Sequence, residues 1–301
     1  MNRPLAPAGP SRARGDARAG WLTLCEESPG SEGGDPKDQD RARVIPGEDV
    51  IACVCDGVTT SPHAAAAAET IAASARGIVG DGRQGRSDQA LRRAAERLLW
   101  LRGEATRRHA DASTAPAHTA EAWLAQAAHE QLLHSYQTTM VAVAVGRRRG
   151  GLTVEYARCG DSELLVFDRD GSLLYASCPT TVPPGATGAG PRPGIASAGA
   201  ERFGSRSTRT DVLPDDIDRT QRGRRLTPQG ARVVIASDGF VGSFEGPGDM
   251  HRWLDDFIAL SRTARDAALS ELHERLRARA GDDDISFVVV QRRRRPPSSR
   301  A

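Results

Sequence analysis

Three short apolar segments of this 301-residue chain are joined directly to aspartate residues. Residues 50–57 and 233–239 each end in Asp-Gly, whereas residues 282–290 begin with three aspartates. Short runs rich in Val and Ile predict buried strands. If the third strand runs antiparallel to the other two, its first residues lie where the others end. The sequence therefore predicts carboxylates from three distant segments at one rim of a sheet.

A cluster of carboxylates predicts a cation between them. Neighbouring carboxylates repel each other, and partial burial makes their charge more costly. Hard divalent metal ions bind preferentially to oxygen ligands. Taken singly, an Asp-Gly after a strand is typical of a turn, and an aspartate run is typical of a solvated loop. The metal site is predicted from their combination.

Composition and charge narrow the class of protein. A formal charge of +2 gives no reason to expect nucleic-acid binding. No stretch approaches 18 apolar residues, and residues 1–20 lack the apolar core of a signal peptide, so we expect no membrane span. Five cysteines without a CxxC pair argue against a disulfide framework or a zinc ribbon. We therefore expect a cytoplasmic protein.

The order of periodic segments predicts an α+β fold in which two antiparallel sheets form a sandwich flanked by helices. The predicted helices span residues 64–78, 87–108 and 120–134, followed by two short helices between 249 and 280. Strands at 140–145, 152–157, 163–167 and 173–176 are predicted to form one antiparallel meander. Trp123, Leu124, Trp253, Leu254, Phe257 and Ile258 are predicted to face inward.

The same pattern divides the chain into one folded domain with irregular ends. Residues 1–20 are predicted to be a disordered arm, 21–292 a single domain, and 293–301 a disordered tail. Residues 178–224, rich in Pro, Gly, Ser and Arg, are predicted to be a flexible insert or flap.

Six motifs, in order along residues 20–292, resemble those of the bacterial metal-dependent Ser/Thr protein phosphatases of type 2C. They are Asp38-Gln39-Asp40, Val54-Cys55-Asp56-Gly57-Val58, Gln137-Thr138-Thr139-Met140, Cys159-Gly160-Asp161-Ser162, Ala236-Ser237-Asp238-Gly239-Phe240 and Asp283-Asp284-Ile285-Ser286. Each motif is weak alone, and their shared order is what favours the family.

The resemblance implies a binuclear Mn²⁺ or Mg²⁺ centre. It assigns Asp56 as the bridge between two ions, the Gly57 carbonyl to one ion, and Asp238 and Asp283 to the other. Asp40 would hold metal-bound waters, and Asp161 matches a residue that helps to hold a third, weaker ion. The implied reaction is hydrolysis of phosphoserine and phosphothreonine in proteins, by a metal-bridged hydroxide that attacks phosphorus directly.

The chain departs from the family pattern at several positions. Asp35 stands where the family often has a phosphate-binding Arg, which leaves Lys37 or Arg41 as candidate replacements. Thr59-Thr60 replaces the usual Gly-Gly, and Gly242 replaces an aspartate that supports the third ion. His63 is either a proton donor to the leaving oxygen or a surface histidine at a helix start.

These departures leave a second function open. The alternative is a catalytically weak or inactive relative that binds phosphoproteins or regulates a kinase. Nucleotide hydrolysis is disfavoured, since the chain has neither GxxxxGK[ST] nor GxGxxG. The expected partners are phosphorylated proteins, including a Ser/Thr kinase or a phosphorylated regulator, and the expected state is a monomer.

Overall fold

The computed structural model describes residues 21–28, 31–32, 35–36, 38–80, 84–112, 119–177, 210–263 and 266–292. The predicted arm and tail, and residues 178–209 of the predicted insert, lie outside this part of the chain. The irregular segment was predicted to extend to residue 224, but it ends earlier. A 3₁₀ turn spans Ile217–Arg219, and a strand begins at Gln221.

Twelve strands and seven helices make up the described part. The strands are β1 (Trp21–Ser28), β2 (Ser31–Glu32), β3 (Asp35–Pro36), β4 (Arg41–Ile45), β5 (Val50–Cys55), β6 (Met140–Arg148), β7 (Gly151–Cys159), β8 (Glu163–Phe167), β9 (Leu173–Ala176), β10 (Gln221–Pro228), β11 (Arg232–Ala236) and β12 (Ile285–Arg292). The helices are α1 (Ala64–Ala73), α2 (Ala75–Val79), α3 (Gln84–Ala112), α4 (Ala120–Leu133), α5 (Asp238–Val241), α6 (Pro247–Thr263) and α7 (Asp266–Ala280).

Ten of the strands form two five-stranded antiparallel sheets. The first sheet has the order β1-β12-β11-β8-β9, and the second has the order β10-β7-β6-β5-β4. Side chains from the inner faces of both sheets share one buried layer, which includes Val54, Val143, Ile235 and Val288. The α+β sandwich predicted from the sequence is thus confirmed.

Helices cover the outer face of each sheet. The Ala-rich α1 lies close against the second sheet, where Ala67, Ala68 and Ile71 pack with the buried Cys53 and Cys55. On the first sheet the inward positions predicted for α6 are confirmed, since Trp253, Leu254, Phe257 and Ile258 are all buried. The Trp253 and Phe257 rings pack around Phe240 and Phe287, whose centroids are 4.3 Å apart.

The predicted four-stranded meander is wrong in its connectivity. β6 and β7 pair in the second sheet, whereas β8 and β9 pair in the first, so the chain changes sheets at residues 160–162. Gly160 turns the chain there with a φ of 96°, a left-handed conformation that glycine tolerates. Both faces of β6, β7 and β8 are largely buried, so periodicity alone could not assign them to a sheet.

The predicted inward face of α4 is also wrong. Trp123 and Leu124 are each 72% exposed, and none of the described residues of α4 is buried. α4 packs on the outer helix α3, where the His109 ring nitrogen lies 3.0 Å from the Ala125 carbonyl oxygen. The main packing partner of α4 is therefore α3 and not a sheet. None of the helices described here is long and apolar enough to cross a membrane.

Candidate metal and phosphate site

Asp56 directly follows β5, at one end of the second sheet. Its carbonyl accepts hydrogen bonds from Thr139 N and from Thr138 Oγ1, both at 2.8 Å, which fixes the backbone at this point. Gly57 is tightly enclosed, since a Cβ added there would lie 2.8 Å from the Gln39 carbonyl oxygen. The Asp-Gly pair is thus held where β5 leaves the sheet.

Asp238 and residues 283–284 lie together at one end of the first sheet. β11 and β12 are antiparallel neighbours, as the sequence predicted, with Ala236 opposite Phe287. Ser237 N continues the ladder with a 2.9 Å hydrogen bond to the Ser286 carbonyl. Gly239 allows the chain after β11 to approach the aspartates before β12 closely, because a Cβ at Gly239 would lie 2.9 Å from Asp283 Cβ.

The aspartates do not share the rim of one sheet, as the sequence suggested. β5 belongs to the second sheet, whereas β11 and β12 belong to the first. The carboxylates meet because corresponding ends of the two sheets face each other across the sandwich. A cavity of about 380 Å³ opens between these ends.

Five carboxylates line this cavity, together with neutral side chains. The lining residues are Gln39, Asp56, Gly57, Val58, Thr59, Gln137, Thr139, Asp161, Thr210, Val212, Asp238, Asp283 and Asp284. Asp56, Gly57, Asp161, Asp238 and Asp283 were candidate ligands from the sequence. Their ligand roles remain predictions, but the structure places all five around one space.

Asp40 lies behind the cavity wall and is 4% exposed. Neither of its carboxylate oxygens has a hydrogen-bond partner among the described residues, although Asp56, Ser237 and Ser286 are close by. Burial, followed by the charge of Asp284, raises the pKa of Asp40 to about 7. Burial also raises the pKa of Asp56, with added repulsion from Asp40, Asp238 and Asp161.

These observations fit a hard divalent ion better than any other occupant. The raised pKa values of Asp40 and Asp56 and the orphaned Asp40 oxygens indicate negative charge that the neighbouring Arg277 does not fully balance. All the candidate side chains are oxygen donors, which suits Mg²⁺ and Mn²⁺. Within the described residues no three acidic, thiol or imidazole groups already form a metal-binding cluster. The carboxylates thus border a shared space without forming a closed coordination shell.

The turn that carries Asp161 is braced by a buried arginine. Arg158 is 8% exposed and donates hydrogen bonds to the carbonyls of Gly160, Ser162 and Ser177. Asp161 itself accepts a 2.8 Å hydrogen bond from Thr210 Oγ1. The position of Asp161 at the cavity therefore depends on contacts from three segments of the chain.

The structure does not support Arg41 as a phosphate ligand. Its guanidinium pairs with Asp38 at 3.1 Å and lies 3.7 Å from Glu69, and Arg41 is not among the cavity-lining residues. The acidic neighbours hold Arg41 at the edge of β4. Lys37, the other candidate, lies outside the described residues.

Sequence reasoning missed several cavity residues. Asp284 is buried and accepts a 2.7 Å hydrogen bond from Gln39 N, yet it was named only within a motif. Its place in the aspartate run before β12 was the available signal. Gln137 was likewise named only within a motif, whereas Thr210 and Val212 gave no signal, since neutral residues in irregular segments carry no periodicity.

Comparisons with known proteins point to one family. The family model described as protein phosphatase 2C matches residues 32–277, which is most of the chain. A search of curated proteins found no match.

Solved structures share the fold at low sequence identity. PppA, titled a key regulatory component of T6SS in Pseudomonas aeruginosa, is 17% identical, with a TM-score of 0.54 over 90% of this chain and 97% of that one. A bacterial serine phosphatase is 11% identical, with a TM-score of 0.51 over 91% and 98% of the two chains. The Mycobacterium tuberculosis serine/threonine phosphatase PstP/Ppp is 14% identical, with a TM-score of 0.50 over 91% and 99%. The family match and the shared fold together show that this chain belongs to the protein phosphatase 2C family.

Proposed function

We propose that this chain hydrolyses phosphoserine and phosphothreonine in proteins with the help of two divalent metal ions. The observation that carries the proposal is the meeting of five carboxylates from both sheets around one cavity, with the buried Asp40 behind them. The family to which the chain belongs, protein phosphatase 2C, supports phosphatase chemistry at this cavity. A pure binding surface for phosphate would gain nothing from so much negative charge.

We assign each carboxylate a role according to its position in the site. Asp56 lies between the two sheet ends and would be shared by two Mn²⁺ or Mg²⁺ ions, with the Gly57 carbonyl on one of them. Asp238 and Asp283 would hold the other ion, and Asp161 would support a third. Two such ions lower the pKa of water and offset the charge of an in-line displacement at phosphorus.

Asp40 has a separate role in this proposal. Its orphaned oxygens would accept hydrogen bonds from water within the site and so orient that water toward phosphorus. The new P–O bond forms from water while the bond to the seryl or threonyl oxygen breaks. That oxygen takes up a proton, and the products are inorganic phosphate and the free hydroxyl.

One feature of the cavity favours the alternative function, a weak or inactive regulator. Among the described lining residues there is no arginine, lysine or histidine to hold the substrate phosphate. The neutral groups of Gln39, Thr59, Gln137 and Thr139 border the cavity instead. Without bound ions a dianionic phosphate would be repelled, so phosphate binding and metal binding should be coupled.

Release of inorganic phosphate tests the proposal. Wild-type protein should hydrolyse p-nitrophenyl phosphate and a phosphothreonine peptide with Mn²⁺ or Mg²⁺, and EDTA should abolish the release. Asp56→Asn and Asp238→Asn should each lose at least a hundredfold in kcat, while Asp170→Asn, on an exposed turn, should match wild type. Metal-independent release, or equal release by Asp56→Asn, would refute the mechanism. Tight calorimetric binding of the peptide without turnover would favour the regulator.

Phosphorylated proteins are the proposed substrates, and a Ser/Thr kinase or phosphorylated regulator is the proposed partner class. The PppA structure is of a regulatory component, which supports a signalling role for this fold. The proposed setting is a bacterial cytoplasm, with the chain acting as a monomer.

A further inference from the structure

Two aromatic residues near the cavity have left-handed backbone conformations. His63 has a φ of 64° and Tyr136 a φ of 57°. Their rings stack on each other, with centroids 4.8 Å apart and planes inclined by 27°. Residues with ring side chains seldom adopt this backbone conformation, although histidine adopts it more often than the others. The conformation costs about 1 kcal/mol or more at each position. The backbone strain of these two residues must be offset by a stabilising or functional interaction.

The pair lies on two segments that border the cavity. Val58 and Thr59 line the cavity just before His63, and Gln137 lines it just after Tyr136. Three hydrogen bonds join the segments. Val58 N donates to the Gln137 carbonyl at 3.2 Å, Gln137 N to Ser61 Oγ at 2.9 Å, and Tyr136 N to the Pro62 carbonyl at 2.9 Å. The backbone segments that carry the stacked rings are thus fixed next to the cavity-lining residues.

Local stability does not explain the choice of these residues. His63 occupies the N-cap position of α1, but its side chain makes no capping hydrogen bond with the described residues. Asn or Gly would tolerate the positive φ, and Asn would also cap the helix. Tyr136 packs partly against the core below α1, whereas His63 is exposed on top of it. The pair presents an aromatic surface to solvent at a cost in stability.

We propose that the His63–Tyr136 pair binds a basic side chain next to the phosphorylated residue of the substrate. This inference rests on the proposed function. Aromatic faces attract arginine and lysine through the ring quadrupole. Asp215, which accepts a 2.7 Å hydrogen bond from Gln137 Nε2, is already paired with Arg102 at 2.6 Å, so the exposed aromatic surface and not a free carboxylate would attract the basic residue. A basic flanking residue would be complementary to this aromatic surface.

Asparagine substitutions test the pair while preserving its backbone. The variants are His63→Asn, Tyr136→Asn and the double variant, with His129→Asn on α4 as a control away from the cavity. Substrates are p-nitrophenyl phosphate, too small to reach the rim, and phosphothreonine peptides flanked by arginine, alanine or glutamate. Wild type should prefer the arginine-flanked peptide over the alanine-flanked peptide by about fivefold in kcat/KM. The double variant should reduce that preference to less than about twofold, mainly through KM.

Two further readouts separate this role from a merely structural one. The double variant should keep wild-type turnover of p-nitrophenyl phosphate, and His63→Asn should have an unchanged or higher Tm, because Asn tolerates the positive φ and the His63 ring is exposed. Equal losses on all substrates, or an unchanged peptide preference, would overturn the inference. If wild type hydrolyses nothing, the proposed function fails. The pair is then tested by fluorescence anisotropy, where the arginine-flanked peptide should bind about fivefold more weakly to the double variant, and equal binding would refute it.

Discussion

Asp40→Asn should stabilise the metal-free protein at neutral and alkaline pH. Burial and the charge of Asp284 raise the pKa of Asp40 from an ordinary 3.8 to about 7. Between these values the native protein holds a proton that the unfolded chain has lost, so stability falls as pH rises through this window. A pKa difference of one between the native and unfolded states corresponds to about 1.4 kcal/mol of stability. The difference between 3.8 and about 7 therefore means that the charged Asp40 carboxylate destabilises the native state by about 4 kcal/mol above pH 7.

Urea denaturation in EDTA from pH 4.5 to pH 8 measures this cost. The free energy of unfolding of Asp40→Asn should exceed that of wild type by a margin that grows with pH and approaches about 4 kcal/mol at pH 8. Asp170→Asn should follow wild type throughout. Saturating Mn²⁺ should narrow the margin, because a bound cation stabilises the charged form of Asp40. Parallel pH profiles for Asp40→Asn and wild type in EDTA would refute this account of the cluster.

Three further substitutions test the architecture around the site. Gly239→Ala should lower both Tm and metal-dependent phosphate release, since the added Cβ would overlap the Asp284 carbonyl oxygen. Gly246→Ala is the control, because there is open space around Gly246. Equal Tm and equal phosphate release for the two variants would contradict the close approach of Gly239 to Asp284. Phe240→Ala should cost about 3–5 kcal/mol in urea denaturation, because its fully buried ring packs against three other aromatic rings. Trp123→Ala should change the free energy of unfolding by less than about 0.5 kcal/mol, and a loss above 2 kcal/mol would mean that α4 is buried after all.

The sequence predicted the strands and the sandwich because their signals are local. The runs that end at Asp56 and Asp238 are continuous and apolar, which reflects burial on both faces. The ring-bearing positions of α6 follow helical spacing and contact the first sheet as expected. Motif order then fixed which aspartates should converge.

Other features depend on long-range packing that local patterns do not encode. The change of sheets at Gly160 joins two hairpins that look like one meander in the sequence. α4 has the composition of a buried helix, yet it lies on α3, so that Trp123 remains exposed. Arg41 was a plausible phosphate ligand until the positions of Asp38 and Glu69 were known. Which acidic residue pairs with a given arginine depends on the three-dimensional structure and cannot be predicted from the local sequence.

Calorimetric titration of Mn²⁺ into the metal-free protein tests the central claim most directly. Wild type should bind two ions per chain, and a variant carrying both Asp56→Asn and Asp238→Asn should bind neither with comparable affinity. Absence of binding to wild type, or the same two-ion isotherm for the double variant, would contradict a metal centre built from the facing ends of the two sheets.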